Sequence, residues 1–135
     1  MFLNLLNDRQ KASFLALATK VVMADGGVVP EEDVTLDIRR YEMGGDISAP
    51  PDEIFGVPNT EIFDTRRSQV IVLAELYVLA YSDSDFHADE RPIIQELAEA
   101  WGFSEDDCAG IEQWAVRQGP LSLEAWTVFQ KLDAV

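Results

Sequence analysis

The chain has 135 residues, and its 10 Lys+Arg against 25 Asp+Glu leave a formal net charge of −15. That length suits one domain, and 47 % apolar residues supply a core, which excludes an intrinsically disordered chain. The acidic balance excludes nucleic acid and anionic membrane surfaces as direct partners, because polyanions repel it; cations, basic proteins or solubility alone remain.

A lone Cys108 leaves no internal disulfide, so a reducing compartment is expected. The stretch Met1 to Asp8 is too short and too soon interrupted for a signal peptide. The longest apolar run, Val70 to Tyr81, is broken only by Glu75 and falls short of the roughly 20 residues that span a bilayer. A soluble, cytoplasmic protein with no membrane insertion is the expectation.

Periodicity predicts helix almost throughout. From Asp8 to Ala24, Phe14, Leu15, Leu17, Ala18, Val21 and Val22 form one helical face, ended by Asp25-Gly26-Gly27. Pro30 and Glu31-Glu32-Asp33 suit the first turn of a second helix running to about Met43 and stopping at Gly44-Gly45. A loop from Gly44 to Asn59 holds Pro50, Pro51 and Pro58, with one helical turn around Asp52 to Phe55. A helix from Thr60, with or without a break at Arg66-Arg67, continues to Tyr81, and another covers about Ala88 to Trp101 and ends at Gly102. Ser104 and Asp107 form a capping box that opens a helix to about Gln118; Gly119-Pro120 breaks it, and Ser122 caps a last helix. No segment alternates as a strand would. The prediction is an all-α, single-domain helical bundle of six to seven helices over residues 1–135.

Shifting the sequence by 58 residues lays Asp25 to Glu32 on Asp83 to Glu90, with Asp25 on Asp83, Glu31 on Asp89 and Glu32 on Glu90. The flanks agree in character: Leu15, Ala16 and Val21 fall on Leu73, Ala74 and Leu79. Each half reads as an αα-hairpin, 8–43 and 60–102, with C-terminal helices over 104–135. The Ala-Asp-Gly-x-Val-x-x-x-Glu of Ala24 to Glu32, with its second copy at Asp83 to Glu90, resembles the TerB family, which is associated with tellurite resistance and shares its fold with the N-terminal domain of the DjlA co-chaperone. The resemblance runs from the first helix to Trp101. It implies a bacterial cytoplasmic helical bundle, a link to stress response, and an acidic surface that takes a divalent metal through Asp25, Glu32, Asp83 and Glu90.

The acids divide by position. Glu31, Glu32, Asp33, Asp89, Glu90, Glu105, Asp106 and Asp107 fall in first helical turns, where the dipole favours them by ~0.3–1 kcal/mol each without any ligand. Asp25, Asp83 and Asp85 instead follow helix C-termini, the unfavourable end for a carboxylate. Asp83, Asp85, Asp89 and Glu90 crowd four carboxylates into eight residues, a density that raises pKa values or recruits a cation. Oxygen-only ligands suit Ca²⁺, Mg²⁺ or Mn²⁺. An EF-hand is excluded, because counting from Asp83 puts Ala88 where Gly is needed and Ile94 where Glu is needed. His87, between Asp85 and Asp89, is a candidate zinc ligand or a solvated histidine; a single His and a single Cys do not make a structural zinc site.

Enzyme signatures are missing: no Glu-x-x-His pair, phosphate-cradling Gly-x-x-x-x-Gly-Lys or Gly-x-Ser-x-Gly elbow occurs, and no His-Pro-Asp motif of a J-domain. Acids around Cys108 disfavour its thiolate. The expectation is a non-enzymatic protein that binds a divalent cation; the alternative is an acidic adaptor for a basic partner. Trp101, Phe103, Trp114, Trp126 and Phe129 read as core or docking surface, and exposure of Ile54, Phe55 and Val57 would favour docking.

Overall fold

A 3₁₀ turn at Leu3–Leu5 leads into α1 (Asp8–Met23), followed by α2 (Val34–Glu42), α3 (Pro51–Phe55), α4 (Arg66–Tyr81), α5 (Arg91–Ala100) and α6 (Glu105–Asp133). The computed structural model describes residues 2–24, 34–81 and 91–133. Among these the fold is all-α, a helical bundle without strands, and no helix is long and apolar enough to cross a membrane.

α4 is the centre of the bundle. Ile71, Val72, Leu73, Leu76, Tyr77, Val78 and Leu79 are all buried, because α1, α5 and α6 cover it on several sides. A helix apolar all round has no solvent face to keep polar, and this one has one carboxylate in its buried run, Glu75. The α1 face predicted from periodicity packs into the same core through Phe14, Leu15, Leu17, Ala18, Val21 and Val22. Its start is fixed by a capping box in which the Gln10 amide donates to Asn7 Oδ1 at 2.8 Å and the Asn7 amide to Gln10 Oε1 at 3.0 Å.

The stops follow glycine. Gly44 and Gly45 adopt φ of 104° and 86°, and the Gly45 amide closes α2 by donating to the Arg40 carbonyl at 2.9 Å. Gly102, at φ 78°, ends α5 in the same way, with the Phe103 amide donating to the Ala98 carbonyl at 3.0 Å. The Ser104–Asp107 capping box then opens α6, its two bonds 3.0 and 3.2 Å long.

Two predicted boundaries are corrected. The helix expected from Thr60 begins at Arg66, because Thr65 caps it: the Ser68 amide donates to Thr65 Oγ1 at 3.1 Å, while residues 60–63 make only a turn. The break at Gly119-Pro120 is absent. α6 runs through both residues, so the position of the expected cap lies inside a helix and the two expected C-terminal helices are one. Proline in a helix costs about 3 kcal/mol through its lost hydrogen bond and ring clash. Packing of buried Ala115 and Gly119 on one side of Pro120, and of Trp126 on the other, holds the helix through it. The predicted starts of the helices at Pro30 and Ala88 lie outside the described residues.

An ion pair sits inside the core. Arg39 Nε lies 3.2 Å from Glu75 Oε2, each side chain 1 % exposed, and Glu75 Oε1 accepts the Phe2 amide at 3.2 Å. The neighbouring Leu3 amide donates to Glu42 Oε1 at 3.3 Å. α2, α4 and the N-terminal turn are thereby joined through carboxylates.

Candidate functional site

The loop between α2 and α4 carries the most conspicuous surface feature. Pro51, at the first turn of α3, pre-sets its φ, and the Ile54 amide donates to the Pro50 carbonyl at 3.1 Å. Glu53 turns inward and is buried, accepting from Ser13 Oγ at 2.7 Å and from the Asn59 amide at 3.0 Å. That carboxylate anchors both ends of the loop tip to α1. At Gly56 a Cβ would collide with the Asp52 carbonyl, so only glycine allows the tight reversal. Held in this way, Phe55 and Val57 stand 76 % and 88 % exposed, while Ile54 is half-buried. Single exposed apolar side chains are ordinary, whereas neighbouring ones that form a contiguous patch mark contact surfaces.

Val57 and Ile54 also wall a cleft of about 540 Å³ against Leu17, Lys20 and Met23 of α1, its C-cap Ala24, and Ile93, Glu96 and Leu97 of α5. The C-terminal turns of α1 and one side of α5 therefore share one concavity. Its lining is mostly apolar, with Lys20 and Glu96 as the charged members.

A second network brackets the other acidic segment. Tyr81, the last residue of α4, donates to Glu112 Oε1 at 2.6 Å, and Arg91, the first residue of α5, lies 2.9 Å from the same oxygen. Burial, followed by the hydrogen bond to Glu112, pushes the Tyr81 hydroxyl upward in pKa. Tyr77, one turn earlier, is pushed up to about 12, chiefly by burial and then by Cys108 and Glu112. Burial and the carboxylates of Asp107, Glu112, Glu105 and Glu99 raise the Cys108 thiol, which keeps it protonated and unreactive.

The third feature is a cleft of about 640 Å³ between α2, α4 and α6, lined by Ile38, Tyr41, Glu42, Trp114, Leu121 and Trp126 among others. Tyr41 and Trp126 meet edge to face across its rim at 5.3 Å. The aromatic residues singled out in the sequence consequently divide. Trp101, against Phe63 at 5.8 Å, Phe103, beneath the Arg66 guanidinium at 3.5 Å, and Trp114 pack on the core. Trp126 stays on the rim and Phe129 is exposed.

All the cation-ligand candidates, Asp25, Glu32, Asp83, Asp85, Asp89 and Glu90, and His87 with them, lie outside the described residues. Among the described residues, no three His, Cys, Asp or Glu side chains gather as a metal-holding group. Glu53 and Glu112 were missed by sequence reasoning, as was the partner of Glu75; the available signal was an acid in the middle of an apolar run, which requires a buried cation or donor. Compared with known proteins, the chain matches no family model, no curated sequence and no solved structure.

Proposed function

We propose that this chain is a non-enzymatic, TerB-like acidic protein of the bacterial cytoplasm that acts by binding, as an adaptor for a partner offering apolar and basic residues. The observation that carries this reading is the fixed exposure of Phe55 and Val57 beside the cleft shared by α1, α3 and α5. Apolar anchors at the centre of an interface supply affinity, and the surrounding net charge of −15 speeds capture of a basic partner. The test is a pull-down with wild type and a Phe55→Ser/Val57→Ser variant. Both residues are exposed, so the variant keeps its fold. The expected result is capture of a partner that the variant loses, and that weakens at moderate salt, because exposed charges are screened within about 10 Å at 0.1 M. A partner held equally by the variant ends the reading.

A second reading is divalent-cation uptake by the acidic segments, which the TerB resemblance implies. Its support is the donor chemistry of Asp25, Glu32, Asp83, Asp85, Asp89 and Glu90, an all-oxygen set that suits Ca²⁺, Mg²⁺ or Mn²⁺, and the Glu112 network that ties down Tyr81 and Arg91 on either side of the second segment. Calorimetric titration with Ca²⁺, Mg²⁺, Mn²⁺ and Zn²⁺ tests it. Uptake weakened by Asp25→Asn and Asp83→Asn is expected; no uptake below millimolar cation ends this reading.

A further inference from the structure

At about 1.5 Å per residue, the 29 residues of α6 extend about 43 Å and the 16 of α4 about 24 Å, so α6 outruns the central helix by roughly 19 Å. One stripe, apolar but for Gln118, runs along α6 from its second turn at spacings of three and four: Ile111, Trp114, Gln118, Leu121, Ala125, Val128, Leu132. Up to Gln118 the stripe serves the bundle, with Ile111 and Trp114 packed on the core. Beyond Pro120 the same stripe emerges into solvent, with Leu121, Val128 and Leu132 at 53, 49 and 65 % exposure and Ala125 exposed between them. Spacings of four, three and four are those of a coiled-coil seam. A seam in water lacks the helix that would fill it.

We propose that the C-terminal half of α6 pairs with its own copy in a second chain, antiparallel, to form a two-fold dimer. Charge selects both the occupant and its direction. Residues 119–133 carry only Glu124, Lys131 and Asp133, a net charge of 1 − 2 = −1 in a chain of −15, so this is where two copies repel least. With Leu121, Ala125, Val128 and Leu132 on the seam, Glu124 and Lys131 take equivalent flanking positions. An antiparallel pair layers Leu121 on Leu132 of the second copy and Ala125 on its Val128. Each Glu124 then lies beside a Lys131, twice over by symmetry. A parallel pair sets Glu124 against Phe129 and leaves both charges without a counterpart. Phe129 and the rim of the Tyr41–Trp126 cleft border the seam and extend the surface that the second helix covers. The seam is short, and interfaces of this size hold weakly, so dimerisation is concentration-dependent.

Sedimentation velocity over a concentration series, at salt near 0.15 M to screen the overall repulsion, reads the mass directly. The expected result is a shift from 15.1 kDa towards twice that mass. Val128→Glu/Leu132→Glu abolishes the shift with helicity unchanged by circular dichroism, since both positions are exposed. Lys131→Glu weakens the dimer about tenfold by setting two like-charge pairs face to face, and Glu124→Lys/Lys131→Glu restores it. For direction, in a Cys108→Ser background, Ala125→Cys chains mixed with Val128→Cys chains form a mixed disulfide. A 15.1 kDa monomer at every concentration overturns the proposal, as does a dimer that survives Val128→Glu/Leu132→Glu. Ala125→Cys chains that link to themselves in preference to Val128→Cys chains overturn the antiparallel arrangement.

Discussion

Removing one member of the Arg39–Glu75 pair is the sharpest test of the core. At 3.2 Å and 1 % exposure on both sides, the pair attracts by ~5 kcal/mol at an effective dielectric of ~20, set against the desolvation of both ions. Glu75→Gln keeps an oxygen to accept the Phe2 amide and deletes only the charge, taking the Glu75 carboxylate away from the buried Arg39 guanidinium. Arg39→Met leaves the reverse charge. Each is expected to destabilise by ~3–5 kcal/mol. For 135 residues that corresponds to a melting temperature lowered by ~10–18 °C. The double variant Arg39→Met/Glu75→Gln removes both charges of this pair together and returns to within ~1 kcal/mol of wild type. Urea unfolding followed by circular dichroism and tryptophan fluorescence gives all four corners of the cycle. Single variants that lose less than ~1 kcal/mol, or a double variant as unstable as the sum of the singles, refute the account.

Other predictions follow from the same geometry. Because Tyr77 is raised to about 12 in the fold against 10.0 as its ordinary value, the folded state holds this proton more tightly than the unfolded chain. Its contribution to stability is complete below pH 10 and is lost as pH rises towards 12, ~2–3 kcal/mol in all; Tyr77→Phe should flatten that part of the alkaline stability profile, and an unchanged slope would count against burial as the cause. Pro120→Ala restores a helical amide donor and should stabilise by ~1–3 kcal/mol in urea unfolding; no gain means that α6 has already relaxed around the ring. Cys108 should react with a disulfide reagent well below the rate of an unhindered thiol at the same pH, since burial and four carboxylates hold it protonated; fast labelling would contradict this environment.

Much of the fold was legible in the sequence because its signals are local. Apolar periodicity located α1 and α4, and the glycines after α2 and α5 stopped those helices by the left-handed turn that they permit. The errors have tertiary causes. Pro120 carries a local penalty that neighbouring packing outweighs, and Thr65 caps α4 although residues from Thr60 onward satisfy helical periodicity equally well. Candidate sites divide in the same way. Exposure of Phe55 and Val57 depends on Glu53 reaching Ser13, a contact between residues 40 apart that no short-range pattern encodes. The split among the aromatics depends on where α4 ends beneath α6, which is a property of two lengths rather than of any one motif.

The pinning of the Phe2 and Leu3 amides by Glu75 and Glu42 has a dynamic consequence. Amides near a chain end ordinarily exchange their hydrogens with water almost at once, since fraying costs next to nothing. Here, releasing the Phe2 proton means detaching it from a carboxylate that also holds a guanidinium in the centre of the bundle, and Leu3 itself is fully buried. The second residue of the chain is thereby coupled to the middle of the longest apolar run. Its deuterium uptake reports release of that amide from the Glu75 carboxylate.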